Sequence, residues 1–473
     1  MKITRQLLLL IICFCFSAQL MAANRFWVSA LASNWNNILN WSTVTGGLGG
    51  SSVPAAGDLV IFDNGGLGNC TIDIAVAVTS FTVNAGYTKT ISQNGNSITL
   101  TGDASFSGGT FTGGSANITV GGNFTLGGTS FVSTSGLLQL DQNCTFTSGS
   151  FTHNSGTVKF KSTVSPTISG TSQTFFNLSF ESNVPQTYTI STGTVLTVTG
   201  TLNTLGTANN SISTPVAGTS AIQAQGNIVI NNTGAGGGGT AAILINGGGA
   251  QTLSSTSASG QGRLPYIIIQ KVTGTLSLTG IISESRDWTY TSGTVDATTA
   301  GSTVVFGGNN LTIKSAGMNF YNVSFIANTS TLGNSLTVNN NLTISGLSIL
   351  AAGANTINLA GNWANWGQTG FSEATSTVNF NGSAVQTITT PGGEIFTNLI
   401  VNNSGAGIKL INITTITTTL TMTLGNIDLN TNALTLGLSV ANNGTLAYTA
   451  GTMINTGSFT RWLKAAVIAN HMA

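Results

Sequence analysis

The chain has 473 residues, of which 41% are hydrophobic and 5% are charged, and its net charge is +1. The hydrophobic content and low charge exclude an intrinsically disordered chain. The near-zero net charge excludes electrostatic attraction of nucleic acid or anionic lipid. A packed chain of this length ordinarily divides into several globular domains, whereas a chain of internal repeats can form one long stack.

Residues 1–23 have the pattern of a secretory signal peptide. Lys2 and Arg5 precede an apolar run over residues 7–16, and Ala22 and Ala23 offer a cleavage point. The run is shorter than the roughly 20 apolar residues that span a membrane. We therefore predict a secreted or cell-surface protein with no membrane insertion after leader removal. Loss of Lys2 and Arg5 with the leader would leave the mature chain with a slight excess of acidic over basic residues.

Residues 24–80 form a predicted Trp-rich N-terminal cap. Trp27, Trp35 and Trp41 fall within fifteen residues, and a solenoid must cover the apolar end of its first coil. Burial is the favoured interpretation, because aromatic side chains are usually recruited for buried area. In one alternative these three indoles are exposed and bind a sugar ligand. In another, the cap holds a calcium ion on Asp58, Asp63 and Asp73.

The region that follows repeats with a constant step of about 20 residues, and the coils are predicted to occupy residues 81–462. One series is Ile98, Ile118, Leu138 and Val158; others are Ala104, Phe124 and Cys144, then Phe111, Phe131 and Phe151. This period, with two-residue alternation between Gly-, Ser-, Thr- and Asn-rich corners, is typical of β-solenoid coils. The predicted fold class is all-β, a parallel β-helix with coils of about 18–21 residues. A right-handed stack follows from the general rule for parallel crossovers.

The repeat weakens over residues 209–260 and then returns. The weak region contains Gly234–Gly239, which formally satisfies G-x-G-x-x-G, but Gly is so frequent that chance explains the match. We interpret it as a long flexible corner and predict no cofactor. Trp288 and Trp363 occupy places that match Cys144, so we expect both in the core. Later coils have a slightly longer step, through Val338, Leu359, Phe380 and Val401.

Catalytic chemistry is poorly supported. Acidic residues are dispersed singly along the coils, including Glu181, Glu284, Asp287, Glu373, Glu394 and Asp428. The closest mixed set is Glu284, Arg286 and Asp287, interpreted as a solvated corner beside the buried Trp288. If the chain were an enzyme, we would expect these three side chains and Lys314 to lie within hydrogen-bonding distance of one another across coils. We predict no enzyme and no metal site.

Two other polar features have structural interpretations. Cys144 lies in a core column several coils from Cys70, which argues against a disulfide. The Thr-rich stretch from Thr414 to Thr423 suggests an ice-binding ladder. The pattern is confined to one stretch of the sequence, however, and ordinary β-propensity explains it.

The motif order in the cap carries a family resemblance. The segments FWV (26–28), NW (34–35), NWS (40–42), VP (53–54), GD (57–58) and IFD (61–63) stand in that order. This block resembles the N-terminus of large exported surface proteins of the Bacteroidetes with β-helical passengers. The resemblance implies an adhesin-like or haemagglutinin-like protein, in a family often exported by the type IX system, but it identifies no ligand. We expect extracellular glycans or surface proteins as partners. It supplies no active-site residue.

The end of the chain and the functional class each have two alternative interpretations. Family members usually continue into further coils or a sorting domain, whereas residues 463–473 hold neither. We therefore predict either a truncated gene product or end-to-end self-association of an exposed last coil. The functional alternative to an adhesin-like protein is a carbohydrate-active β-helix enzyme, a polysaccharide lyase or hydrolase, or a carbohydrate-binding module.

Overall fold

The computed structural model describes residues 22–367 and 369–463. The predicted leader, apart from its last two residues, and the end of the predicted tail therefore lie outside the described residues. The described chain is all-β apart from one turn of 3-10 helix at Ile38–Asn40. It divides into two compact units, residues 1–178 and 179–473, which together contain about 19 solenoid turns. The predicted fold class, a parallel β-solenoid, is confirmed.

The strands of the first unit stack in three ladders. The first ladder contains Trp41–Ser42, Asn24–Trp27, Leu59–Phe62, Ser80–Val83, Ala104–Phe106, Phe124–Leu126, Cys144–Phe146 and Thr167–Gly170. The second contains Ser33–Asn34, Cys70–Thr71, Thr90–Ser92, Thr110–Thr112, Ser130–Val132 and Ser150–Thr152. The third contains Val76–Val78, Ile98–Leu100, Ile118–Val120, Leu137–Leu140 and Thr157–Lys161. Gln173–Phe175 and Asn177–Glu181 are the remaining strands that begin in this unit.

The columns predicted from the sequence are the registers of these ladders. Ile98, Ile118, Leu138 and Val158 are successive partners, and Phe124 lies between Ala104 and Cys144. Alternation turns every second side chain inward, so each column becomes a continuous apolar row. At the corners, side-chain oxygens accept hydrogen bonds from backbone N–H groups of the next coil. For example, Asn117 accepts a hydrogen bond from the Leu137 backbone N–H.

The Trp-rich region belongs to the stack itself. Asn24–Trp27 pairs in parallel with Leu59–Phe62, so the ladder begins at residue 24. On the other side of Asn24–Trp27, Trp41–Ser42 pairs in the antiparallel direction. This short strand covers the outer edge of the first coil, which is the role expected of a cap.

The second unit repeats the same principle, with strands that range from 2 to 19 residues. Its strands up to residue 332 are Gln186–Ile190, Leu196–Val198, Thr201–Leu205, Asn210–Ser213, Thr219–Ala224, Asn227–Ile230, Ala241–Ile245, Gln251–Ser255, Tyr266–Glu284, Trp288–Asp296, Thr303–Phe306, Leu311–Lys314, Asn322–Phe325 and Asn328–Leu332. The later strands are Leu336–Val338, Leu342–Ile344, Ser348–Ala351, Thr356–Leu359, Trp363–Asn365, Phe371–Ser372, Thr377–Phe380, Gln386–Thr389, Glu394–Asn402, Ile408–Leu410, Thr414–Leu424, Ile427–Asp428, Ala433–Leu436, Thr445–Tyr448, Met453–Ile454 and Ser458–Arg461.

The glycine-rich region is more regular than the sequence indicated. Gly237 and Gly238 bridge to the neighbouring coils, and Gly238 and Gly239 are buried. All three have positive φ values, between 95° and 105°, which favour glycine. A Cβ on Gly239 would lie 2.3 Å from the Ile212 carbonyl oxygen. The interpretation as a long flexible corner is therefore wrong, because these glycines allow close packing of backbones.

Later coils follow the predicted longer step but vary in length elsewhere. Val338, Leu359, Phe380 and Val401 are successive partners, and Trp288 and Trp363 are fully buried as predicted. The coil length ranges more widely than the sequence indicated. For example, the step from Leu196 to its partner Ile222 exceeds every predicted coil length. Extra residues are accommodated at the corners, so the inward columns persist.

Candidate functional site

The three tryptophans proposed as ligand-binding residues lie inside the first coil. Trp27, Trp35 and Trp41 have no exposed surface, and the Trp35 and Trp41 rings pack edge to face at 4.7 Å. The indole N–H of Trp41 donates to the Trp35 carbonyl at 2.7 Å, and that of Trp27 donates to the Gly68 carbonyl at 3.1 Å. A buried indole offers no face to a sugar ring. The interpretation as an exposed platform is therefore wrong.

The acidic residues of the cap hold its turns. Asp58 accepts from the Ala55 backbone N–H at 3.0 Å and lies 3.4 Å from the Arg25 guanidinium. Asp63 accepts from the Gly65 backbone N–H, and Asp73 accepts from that of Asn36. Among the described residues, no group of three or more His, Cys, Asp or Glu side chains is arranged to hold a metal ion.

The mixed set around Glu284 does not assemble as a catalytic cluster. Glu284 has no exposed surface, so its interpretation as a solvated corner is wrong. It pairs with Leu264 and Phe306 on neighbouring coils, because alternation from the inward Ile282 turns it into the core. One carboxylate oxygen, Oε1, accepts from the next two backbone N–H groups.

The other members of this set have separate partners. Arg286 donates to the Gly239 carbonyl at 3.0 Å, and Asp287 accepts from the Thr312 backbone N–H at 2.7 Å. Lys314 is exposed. No hydrogen bond joins any two of these four side chains in the described part of the chain.

Hydroxyl side chains form more columns than the sequence indicated. On the second ladder of the first unit, Thr90, Thr110, Ser130 and Ser150 are successive outward partners. Two of these four residues are serines, so the column is a mixed hydroxyl row and not a second Thr-rich pattern. Outward positions of a strand face solvent, and short polar residues satisfy that environment.

A concave site lies in the second unit, where two ladders fail to join. Phe371–Ser372 pairs with Ser348–Ala351, whereas the residues from Glu394 to Phe396 pair with the strand Thr414–Leu424. These two segments belong to different sheets, and no register joins them. The step from Phe371 to Phe396 is longer than the preceding step from Leu350 to Phe371. The longer coil leaves a groove between the two strand edges.

This groove has a volume of about 610 Å³, within the usual range for ligand sites. Its described lining residues are Ile349, Thr369, Phe371, Ser372, Glu373, Gly392, Gly393, Glu394, Ile395, Ile413 and Thr415. Ile349, Ile395 and Ile413 expose 37%, 47% and 56% of their surface. Large apolar side chains with this exposure, gathered in one groove, are typical of a binding surface. None of the described lining residues is basic.

Glu394 sits at the base of the groove and is almost completely buried. Its Oε2 accepts from the Trp363 indole N–H at 2.6 Å, the Thr390 hydroxyl at 2.9 Å and the Asn365 amide at 3.1 Å. Burial raises the pKa of this carboxyl above its ordinary value, although these donors act in the opposite direction. Its Oε1 accepts from the Ile395 backbone N–H at 3.1 Å.

The bond from the Ile395 backbone N–H to the Glu394 carboxylate replaces a missing ladder bond. The Glu394 backbone N–H donates to the Ile413 carbonyl on the next coil. Alternate residues of a strand direct their backbone groups to opposite sides, so those of Ile395 point towards the groove. On the facing edge, the carbonyls of Gly370 and Ser372 accept bonds from the preceding coil. The Phe371 backbone groups therefore point towards the groove as well.

Sequence reasoning missed this site, although a signal was present. Glu373 and Glu394 are separated by the same step as Leu359 and Phe380, which are partners on adjacent coils. That spacing predicts neighbouring coils and could have brought the two carboxylates together. The Ile side chains gave no such signal, because their exposure depends on the break in the ladder.

Comparisons with protein-family models, with curated proteins and with solved structures gave no match. Within the described residues, no helix is long and apolar enough to cross a membrane.

Proposed function

We propose that this chain is an exported, cell-surface or extracellular repeat protein with a structural or adhesin-like role and no catalytic activity. The observation that carries the proposal is the groove of the second unit, which gathers exposed isoleucines from three coils around a half-buried carboxylate, Glu373. The leader pattern in residues 1–23 and the family resemblance of the cap support export.

The polar side chains of the solenoid support a non-catalytic role. The buried ammonium of Lys271 donates to the carbonyls of Gly247 and Gly249 and to Gln251. Gln386 likewise bonds two carbonyls and the Asn403 amide. These groups satisfy buried backbone at the corners, which a long stack requires. Such groups contribute to stability rather than to chemistry.

A binding screen tests this proposal. The purified chain is passed over immobilised extracellular glycans and surface proteins, together with the groove variant Ile395→Lys. We expect retention on at least one ligand and loss of that retention in the variant. Absence of binding to every ligand, or binding that Ile395→Lys leaves unchanged, would contradict the proposal.

One observation favours a second candidate, a glycoside hydrolase. Glu373 and Glu394 line the same groove, and burial raises the pKa of Glu394 above its ordinary value. Glycosidases use one protonated carboxyl as general acid and a second, ionised carboxylate as base or nucleophile. In this scheme Glu394 is the acid and Glu373 the second carboxylate. Release of reducing ends from a polysaccharide panel, abolished in both Glu373→Gln and Glu394→Gln, would establish it.

A further inference from the structure

We propose that the groove binds an extended, basic peptide segment of a partner protein as an added β-strand. This inference rests on the proposed binding function and names the partner class for the same site. Its starting point is the break between Phe371–Ser372 and the residues from Glu394 to Phe396, which lie in different sheets. Unpaired strand edges are templates for another strand.

Backbone geometry favours a peptide over a ligand without a backbone. The N–H and C=O groups of Phe371 and Ile395 point towards the groove from its two sides. Of these, the Ile395 N–H is bonded to the carboxylate of the preceding residue. An incoming strand can therefore form ladder bonds with the N–H and C=O groups of Phe371 and donate to the Ile395 carbonyl, which gives affinity without requiring a particular sequence.

The lining determines which peptide fits. Ile349, Ile395 and Ile413 provide partly exposed apolar surface, and Glu373 contributes a half-buried carboxylate. None of the described lining residues carries a positive charge. A strand presents successive side chains to opposite faces. A segment that alternates Lys or Arg with β-branched residues therefore places apolar groups on the isoleucines and a cation beside Glu373.

The test uses fluorescence anisotropy with the purified full chain and a labelled peptide that alternates Lys and Val. One control peptide alternates Glu and Val, and another carries N-methyl groups on alternate backbone nitrogens of the Lys/Val sequence. Variants Glu373→Gln and Ile395→Lys alter the groove. Val272→Lys is the matched surface control, since Val272 is 89% exposed and does not line the groove.

We expect the Lys/Val peptide to bind and the Glu/Val peptide not to bind. Backbone methylation should weaken binding at least tenfold, because it removes ladder donors. Glu373→Gln should weaken it about two- to fivefold, the usual effect of one partly exposed ion pair. Ile395→Lys should weaken it at least tenfold, and Val272→Lys should leave it unchanged.

Several results would overturn the inference. These are equal binding of the methylated peptide, equal binding of the Glu/Val peptide, or an affinity that Ile395→Lys does not change. If neutral oligosaccharides bind in an Ile395-dependent manner and the Lys/Val peptide does not, the inference fails while the proposed binding function stands. If the chain binds neither class nor any ligand of the screen, both fail.

Discussion

Glu284 is a carboxylic acid in a core column, and its replacement by Gln tests how the solenoid tolerates it. The side chain has no exposed surface and lies between Leu264 and Phe306 of the adjacent coils. Two backbone N–H groups bond Oε1, whereas Oε2 is buried without a hydrogen-bond partner in the described structure. Burial raises the pKa of this carboxyl well above its ordinary value, and the backbone bonds oppose that shift.

The sign of the pH effect follows from proton binding. The folded chain retains the Glu284 proton at pH values where the unfolded chain has lost it. This stabilising contribution is therefore complete below the ordinary pKa and is lost as the pH rises towards the raised value. In that interval the free energy of unfolding contributed by this group falls by about 1.4 kcal/mol per pH unit. Glu284→Gln keeps the shape and the acceptor but does not titrate, so it lacks this dependence.

The assay is urea unfolding followed by circular dichroism at pH values from 4 to 8. Glu284→Gln should match the wild type within about 1 kcal/mol at acidic pH, the net value of one hydrogen bond. It should become progressively more stable than the wild type as the pH rises. Glu373→Gln controls for the same replacement at a partly exposed position. If the stabilities of the wild type and Glu284→Gln run parallel across the whole range, the argument for a protonated core carboxyl is wrong.

Two further predictions concern the core of the first unit. Phe124→Asp should destabilise the stack by several kcal/mol, because it puts an unpaired charge into an apolar column. The ring centroids of Phe131 and Phe106 lie 5.4 and 5.9 Å from that of Phe124. The control variant Phe124→Leu should lower the stability by only about 1 kcal/mol. Native circular dichroism and an unchanged melting temperature for the Asp variant would refute this. Burial raises the pKa of both the Cys70 and Cys144 thiols, so neither should react with iodoacetamide until denaturant is added. Labelling of either thiol in the native chain, detected by mass spectrometry, would show that the thiol is accessible to solvent and would contradict this prediction.

The regular coils could be predicted from the sequence because their side chains obey a single period. The column through Ala104, Phe124 and Cys144 exchanges small and large residues without changing its inward direction. Burial of Trp288 and Trp363 followed from the same logic. In such a stack each coil contacts mainly its neighbours, so local repetition determines most of the architecture.

Single residues at changes of register were harder to predict. Glu284 has the same parity as Ile282 and therefore faces inward, whereas the sequence interpretation grouped it with its charged neighbours in a solvated corner. Gly237 and Gly238 were interpreted as flexible because amino-acid composition indicates neither their positive φ values nor the close approach of neighbouring backbones. Cys70 lies outside the columns that the repeat predicts, and its burial depends on its strand, which pairs with Ser33–Asn34 and Thr90–Ser92.

The groove shows why function is hard to infer from a repeat. Perfect repetition produces paired edges and a buried column, and neither can receive a ligand. The groove of this chain coincides with a local departure from the repeat, the lengthened coil between Phe371 and Phe396. That departure separates two strands, directs the backbone groups of Phe371 and Ile395 towards the space between them, and leaves the isoleucines that line this space partly exposed. Glu394 then stabilises the irregularity, since its carboxylate bonds Trp363, Asn365, Thr390 and the adjacent backbone. In such a chain, coils whose length changes between regular neighbours are therefore the places to search for further sites.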